Sequence, residues 1–521
     1  MGYPDYTWAY AVVFGIAIFA VRILQLLQTI VSWVLELDRL PSLGTTPLCR
    51  YLRRFHIQHL TNQPVLGSWQ RLDVVCLAGY LTINAVVVLY DTSNPAEAGV
   101  RAGTTSLINL IFLVAGPHLA FVADLLGLSL DLYKRLHRVV GLTCVLLALV
   151  HIAIFAAIKK IKVSQDPSSI TFAVVSAVSI ASQLLFLSSR MRRSFFELAL
   201  RAHQGLAALF VYACWRHLPP GGLYPQVYLI VAIGVFVVSS TVQLAFVSIS
   251  NRLGLPRCDL SFEHGIVRVH LRLRKPIRID AGQYINLWIP VRASAWAQTH
   301  PFTVISWSPE PQKELELIVQ PRRGLSRLLS QLPQAGSSDY TCVFSGPHGR
   351  RLPLHTYHDV IMIATGIGMA AVAPFLTKLI HCAYEDPASR LRSIHIAWEL
   401  DGEGSSHIPD FDASRLAYNT ADIKAVFQSL IEAAIKKDTG FKLRLSFYNS
   451  SQPRAHGEHG LVNDYDGHIP LEQVLPPEAA PEAEKTIIAV SASSTIRNAT
   501  TRILRERGLE SVALKHLSYQ P

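Results

Sequence analysis

Six stretches of mostly apolar residues run through the first half of the chain, at about 72–90, 106–127, 138–158, 170–188, 202–218 and 226–249. Each is close to the roughly 20 residues an α-helix needs to cross about 30 Å of hydrocarbon. A seventh, at about 8–31, is interrupted by Arg22, Gln25 and Gln28. It lacks the basic start and small-residue cleavage site of a secretory leader, so it reads as a retained first span, with an amphipathic surface helix as the alternative. After Pro256 the texture changes to short alternating segments, Ile266–Leu273, Tyr284–Ile289, Phe302–Trp307, Leu315–Val319 and Tyr340–Phe344, separated by Gly and Pro. A period of two with turn residues between predicts a small antiparallel barrel. From about 355, apolar strands (Val360–Ala364, Ile394–Trp398, Leu443–Phe447, Thr486–Val490) alternate with helical stretches ending near 383, 436 and 507. That is the pattern of a doubly wound α/β sheet. The predicted architecture is a polytopic α-helical membrane domain of about seven spans, then an antiparallel β-barrel domain and a doubly wound α/β domain. The divisions fall at 1–70, 71–250, 255–353 and 355–521.

Composition agrees with the spans. Hydrophobic residues make up 50% of the chain and charged ones 16%, where an average soluble protein has roughly a quarter charged. This excludes a disordered chain and disfavours a wholly soluble enzyme. A formal net charge of +11 raises nucleic acid as a partner. Residues 1–254, however, hold 19 Lys and Arg against 10 Asp and Glu, and the remainder 29 against 27. The excess sits in the apolar half, which argues for basic membrane loops and against a nucleic-acid face. With the first span running inward, 13 Lys and Arg lie on one side and five on the other. The positive-inside rule then places the N-terminus outside and everything after about residue 250 in the cytosol; Lys159, Lys160 and Lys162 are the local exception. The seven cysteines are scattered without C-x-x-C spacing, so neither a zinc site nor a disulfide scaffold is indicated.

Ionisable residues inside spanning helices mark function by default. The third of the six runs carries His137 and His151, the fifth His203 and His217, each pair 14 residues apart. At about 100° per residue that spacing falls about 40° short of four full turns, so each pair shares a helix face, about 21 Å apart along the axis. The two helices run parallel, which sets His137 level with His203 and His151 level with His217. Two His–His layers can each clamp a haem iron from both faces, and iron with both axial positions filled suits electron transfer. Interfacial or hydrogen-bonded histidines are the alternative; repetition of one spacing on two phased helices weighs against it. His118 has no partner at that spacing and reads as a non-ligand, and His56 and His59 lie in a basic loop. Arg54, Arg138 and Arg216 suit haem propionates, and membrane anchoring explains the first two equally well.

In these features the chain resembles the ferric reductase and NADPH oxidase superfamily, most closely the fungal ferric-chelate reductase transmembrane components. The resemblance spans about residues 70–521. It rests on the doubled His-x13-His, AGQYINLWIP (281–290), HPFTVIS (300–306), GLSRLL (324–329), GPHG (346–349) and ATGIGMAAVAPF (364–375). It implies a ferredoxin-reductase-like module in which the barrel holds FAD and the α/β domain NADPH. It further implies two b-type haems and an electron path from cytosolic nucleotide to an external acceptor, with the plasma membrane as the location. His300, Pro301, Phe302 and Thr303 then form the flavin strand, one side chain stacking on the isoalloxazine and Thr303 bonding its polar edge. Gly324 and Ser326 open a helix whose N–H groups suit a pyrophosphate, with Arg322 and Arg323 adding charge; a simple turn and N-cap is the alternative. Thr365, Gly366 and Gly368 follow a strand and precede a helix, where glycines let backbone approach a dinucleotide.

Two departures keep alternatives open. Where the family carries Cys-Gly-Pro beside the nicotinamide, this chain reads Val490-Ser491-Ala492-Ser493-Ser494, leaving Ser491 as the candidate there. Where many members carry an Arg for the 2′-phosphate, the strand ends Trp398-Glu399-Leu400-Asp401. An acid at that strand end usually bonds a ribose 2′-OH, so NADH stands beside NADPH. A C-terminal aromatic over the flavin is not evident, although Tyr519 lies near the end. The leading expectation is an NAD(P)H-dependent ferric-chelate reductase, an oxidoreductase embedded in lipid that passes electrons to Fe(III) chelates. A superoxide-generating oxidase and a degenerate, non-catalytic haem membrane protein are the alternatives.

Overall fold

The computed structural model describes residues 6–17, 59–63, 67–116, 119–158, 167–187, 195–218, 223–251, 254–290, 299–321, 325–332, 338–387, 389–400, 420–449, 457–459, 462–477, 485–509 and 512–519. Their contacts fall into two units, Met1–Leu37 with Leu60–Ala245 and Asp38–His59 with Phe246–Pro521.

The first unit is built from helices α1 (Tyr6–Ala17), α2 (Arg71–Leu89), α3 (Pro95–Leu113), α4 (Leu119–Leu125), α5 (Leu130–Ala157), α6 (Pro167–Gln183), α7 (Phe196–His217) and most of α8 (Leu223–Asn251). The run expected at 106–127 is not one helix. Asn94 caps α3 by accepting the Glu97 N–H at 3.0 Å, and Pro95 pre-sets the first turn, so the helix begins eleven residues earlier. The polar first turn is stabilised by Arg101, whose guanidinium bonds Glu97 and the Tyr90 carbonyl, both at 2.6 Å. The helix ends at Leu113, and the last part of the expected run is the separate α4. Of the run at 8–31, only residues 6–17 are described.

α3 packs along α5 through small residues. A Cβ on Gly99 would lie 2.9 Å from the Phe155 ring and one on Gly103 2.8 Å from His151. One turn on, the Ser106 hydroxyl donates to the Cys144 carbonyl at 2.9 Å. Close backbone approach of this kind is what binds helices where lipid removes the hydrophobic drive. A buried amide–phenol cluster ties α1 and α2 to α3: Tyr10 and Tyr80 both donate to Asn109 Oδ1, and Asn109 Nδ2 donates to Asn84 Oδ1. By length and composition, three described helices can cross a membrane, Leu130–Ala157, Pro225–Asn251 and Gly366–Glu385. The third is 78% buried inside the second unit and is a core helix there.

In the second unit two sheets enclose an apolar core. One joins β1 (Arg257–Glu263), β2 (Ile266–Ile277), β5 (Gln312–Val319) and β6 (Ser338–Thr341) in the order β5-β2-β1-β6; the other joins β3 (Tyr284–Trp288), β4 (His300–Thr303) and β7 (Val343–His348) in the order β4-β3-β7. All their pairings are antiparallel, and Val267, Leu271, Ile285, Leu287, Leu315 and Phe344 fill the space between. A short helix α9 (Leu325–Gln331) follows β5.

The second layer system is a seven-stranded sheet. Its strands are β8 (Asp359–Thr365), β9 (Ser393–Glu399), β10 (Leu443–Asn449), β11 (Gly457–His459), β12 (Val462–Asp466), β13 (Thr486–Ser491) and β14 (Ala513–His516), in the order β11-β12-β10-β9-β8-β13-β14. Only β11 is antiparallel. Helices α10 (Met369–Glu385), α11 (Thr420–Lys437), α12 (Leu471–Val474) and α13 (Ser494–Glu506) connect the strands. β8 and β13 therefore flank the point where strand order reverses, the place at which open α/β sheets bind ligands.

Candidate functional site

One pair of histidines from α5 and α7 stands face to edge. The rings of His137 and His203 lie with centroids 6.3 Å apart and planes at 72°. An iron bound at about 2 Å by two imidazoles on opposite sides would hold their centroids about 6 Å apart, so the pair fits such an ion. His137 Nδ1 is buried without a hydrogen-bond partner. In the second pair, His151 Nδ1 bonds the Gly99 carbonyl at 2.8 Å and His217 Nδ1 the Ser169 carbonyl at 3.2 Å. Metal-binding histidines are typically oriented through the second nitrogen in this way, which leaves Nε2 for the ligand. Gly103 supplies the room for the His151 ring. Arg216 lies with its guanidinium 5.0 Å from the Phe172 ring. Arg54, His56 and His118 lie outside the described residues.

On the barrel, pairing alternates what each strand presents. Tyr284 stands opposite Thr303, Ile285 opposite Phe302, Asn286 opposite Pro301 and Leu287 opposite His300. Phe302 is 3% exposed and packs with Ile285 and Leu287 in the barrel core. Period two turns Phe302 toward this core, and Pro301 and Thr303, the latter equally buried, lie on the other face of the strand. That face also carries residues that the sequence reading passed over. Asn286 donates to the Ser345 hydroxyl at 3.3 Å, Ser345 bonds His348 Nε2 at 3.0 Å, and the His348 ring lies 5.6 Å from Tyr284. Alternation within AGQYIN would have identified Tyr284 and Asn286; His348 needed the tertiary pairing. Thr303 donates to the Ser518 carbonyl at 3.2 Å, and the Tyr519 hydroxyl donates to Gln320 at 3.0 Å. The segment before the C-terminus thus lies against β4 and the end of β5. Ser326 is half-buried in the first turn of α9; Arg322, Arg323 and Gly324 lie outside the described residues.

Thr365, Gly366, Gly368 and Ser491 converge at the strand reversal. Gly366 adopts φ +48°, and its carbonyl accepts the Trp398 indole N–H at 2.9 Å. Gly368 is needed for packing: a Cβ there would fall 2.0 Å from the Ser491 carbonyl oxygen. Thr365 Oγ1 accepts the Ser493 N–H at 3.0 Å, and Ser493 in turn caps α13. The two loops therefore form one tight crevice floor.

Glu399 closes β9. Its carboxylate is buried, accepts the Ile469 N–H at 3.1 Å and lies 3.1 Å from His468 Nδ1. It ties β9 to the turn after β12. Asp401 lies outside the described residues. Among the described residues, no three His, Cys, Asp or Glu side chains cluster as a metal site.

Residues 102–214 match the family described as "Ferric reductase like transmembrane component", and residues 261–351 match a "FAD-binding domain" family. The resemblance read from the motifs is borne out by these matches. Among similar proteins, "Ferric/cupric reductase transmembrane component 2" of Saccharomyces cerevisiae is 25% identical over 334 residues, covering 59% of this chain and 46% of that one. A "Probable cell surface ferric reductase" of Aspergillus oryzae is 24% identical over 328 residues, covering 57% and 43%. The chain spans about half the length of the curated relatives it matches. A solved flavohemoglobin from Malassezia yamatoensis, with bound FAD and heme, aligns over 82% of this chain and 99% of its own at 14% identity and TM-score 0.38.

Proposed function

From the match to a ferric reductase transmembrane family beside an FAD-binding domain, we propose that this chain is the transmembrane component of an NAD(P)H-dependent ferric-chelate reductase. It would take electrons from a cytosolic nucleotide and deliver them across a membrane, the plasma membrane on this reading, to Fe(III) chelates on the other side. The observation that carries this is the pair of imidazoles on α5 and α7, 6.3 Å apart, with a second pair a 14-residue step along the same two helices.

When bound, FAD would convert hydride into single electrons, and two b-type haems would carry them one at a time. The chain's own work is holding and orienting. His137 with His203 and His151 with His217 would hold the irons, and the Gly99 and Ser169 carbonyls orient the rings of the second pair. Pro301 and Thr303, on one face of their strand, would hold the flavin, with the Thr303 hydroxyl, here donating to the Ser518 carbonyl, placed to bond its polar edge. The Thr365–Gly368 turn and the Ser491–Ser493 turn form the floor for the nucleotide. With Glu399 engaged internally, a 2′-phosphate meets no carboxylate from this residue, and NADPH is the favoured donor.

The test uses the full chain purified in detergent, without oxygen, with NADPH or NADH added separately while the Soret and α bands are followed. The reading expects a bis-histidine spectrum, reduction by nucleotide and reoxidation by ferric citrate. Haem that neither nucleotide reduces would point to the degenerate alternative, and purified protein without haem would overturn the proposal.

A further inference from the structure

α10 begins at the nucleotide turn and, two helical turns on, presses into the barrel. Phe375 fills the space left by Gly282, where φ is +84° and a Cβ would lie 2.6 Å from the ring. One turn beyond, Lys378 Nζ lies 2.6 Å from Asp280 Oδ1, with side-chain exposures of 13% and 18%. Around this contact the interface is apolar, formed by Ala281, Ile305, Leu376 and Leu379. The ion pair is therefore sheltered from the screening that makes surface pairs weak.

Asp280 passes the contact on to both flavin elements. Its Oδ1 also accepts the Ala281 N–H at 2.8 Å, and its own N–H donates to Gln283 Oε1 at 2.8 Å. Gln283 Nε2 donates to the Gly349 carbonyl at 3.2 Å, and the Gln283 carbonyl accepts the N–H of Val304, next to Thr303, at 3.2 Å. Burial alone would raise the Asp280 carboxyl, but the Lys378 hydrogen bond and charge, the Ala281 N–H and the Arg351 charge outweigh it and hold the group below its ordinary range.

We infer that Lys378 is a positioning residue whose bond to Asp280 sets the separation between the nucleotide turn at Gly366–Gly368 and the flavin strand at Thr303. The inference rests on the NAD(P)H-to-FAD reading above. In that step a C–H bond of the reduced nicotinamide breaks and its hydride, one proton with two electrons, forms an N–H bond on the flavin. The nucleotide is oxidised and the flavin reduced; Lys378 exchanges nothing. Because reacting atoms must come within about 3–3.5 Å, a misplacement of about 1 Å can cost on the order of 100-fold.

The experiment mixes the FAD- and haem-loaded full chain with NADPH anaerobically and follows flavin bleaching and the nicotinamide–flavin charge-transfer absorbance. Lys378→Met is expected to slow bleaching at saturating nucleotide by about 10-fold or more and weaken the charge-transfer band. FAD content and NADPH affinity should stay within about twofold. Lys378→Arg, and the exchange Asp280→Lys with Lys378→Asp, should recover most of the rate. Bleaching within about twofold of the parent would overturn the inference alone. Loss of FAD together with no recovery in Lys378→Arg would also overturn it, because the residue would then be holding the fold. If neither NADPH nor NADH, each mixed with the parent in the same way, reduces its flavin, the underlying reading fails and the inference falls with it.

Discussion

Two glycines carry separate arguments at the scale of single residues. Gly103 leaves space for the His151 ring, and a side chain there would meet the imidazole at 2.8 Å. On the proposed reading, Gly103→Val should therefore displace one of the two histidine pairs assigned to haem and leave the other. The measurement is haem per chain by the pyridine haemochrome assay, expected to fall by about half. An unchanged ratio with the same spectrum would show that His151 holds no haem. Gly368 faces backbone, which cannot swing aside as a flexible side-chain end can. Gly368→Ala forces the β8 and β13 loops apart and should destabilise the second unit by about 3 kcal/mol, seen in denaturant midpoints of the full chain, with weaker nucleotide binding. The histidine spacing was legible in the sequence because helical period alone sets which residues share a face. The glycines' partners were not, since proximity between α3 and α5, or between β8 and β13, is tertiary. Phe302 shows the same limit: HPFT can be recognised as a strand, but which side faces inward depends on how β4 pairs with β3.

At the scale of elements, helix boundaries were the weakest part of the sequence reading. A window seeking uncharged residues starts the second run near 106, whereas α3 starts at Pro95, because a cap and an internally paired arginine outweigh local polarity. Glu399 shows a related limit: its position at the end of β9 was legible, but its engagement by the turn after β12 was not. β9 also carries His395, whose ring is partly buried and bonded to the Ser446 hydroxyl at 3.0 Å. Burial, with the Arg444 charge adding to it, depresses its pKa to about 4. An imidazole depressed in the folded state is neutral there while the unfolded chain takes up a proton. Its contribution is thus complete above about pH 6.5 and is lost as pH falls from about 6.5 to about 4. His395→Gln should remove roughly 2 kcal/mol of that pH dependence. Thermal melts of the full chain and the variant between pH 7 and pH 4.5 provide the check, and parallel profiles would contradict it.

At the scale of the whole molecule, the order of modules was legible because each has its own period: near-continuous apolar runs, alternation, then apolar strands between helices. The same holds for the family resemblance, whose motifs fall where β3, β4, β7 and the β8–α10 turn are found. The proposal joins these modules into one path, in which electrons enter at a nucleotide on one side of a membrane and leave on the other. The most direct measurement reconstitutes the chain in sealed vesicles loaded with ferric citrate and an iron(II) indicator, then adds NADPH outside. The account predicts that Fe(II) appears in the lumen, and that His151→Ala with His217→Ala abolishes it while flavin is still reduced. NADPH oxidation by intact vesicles with no lumenal Fe(II) would contradict transmembrane electron transfer.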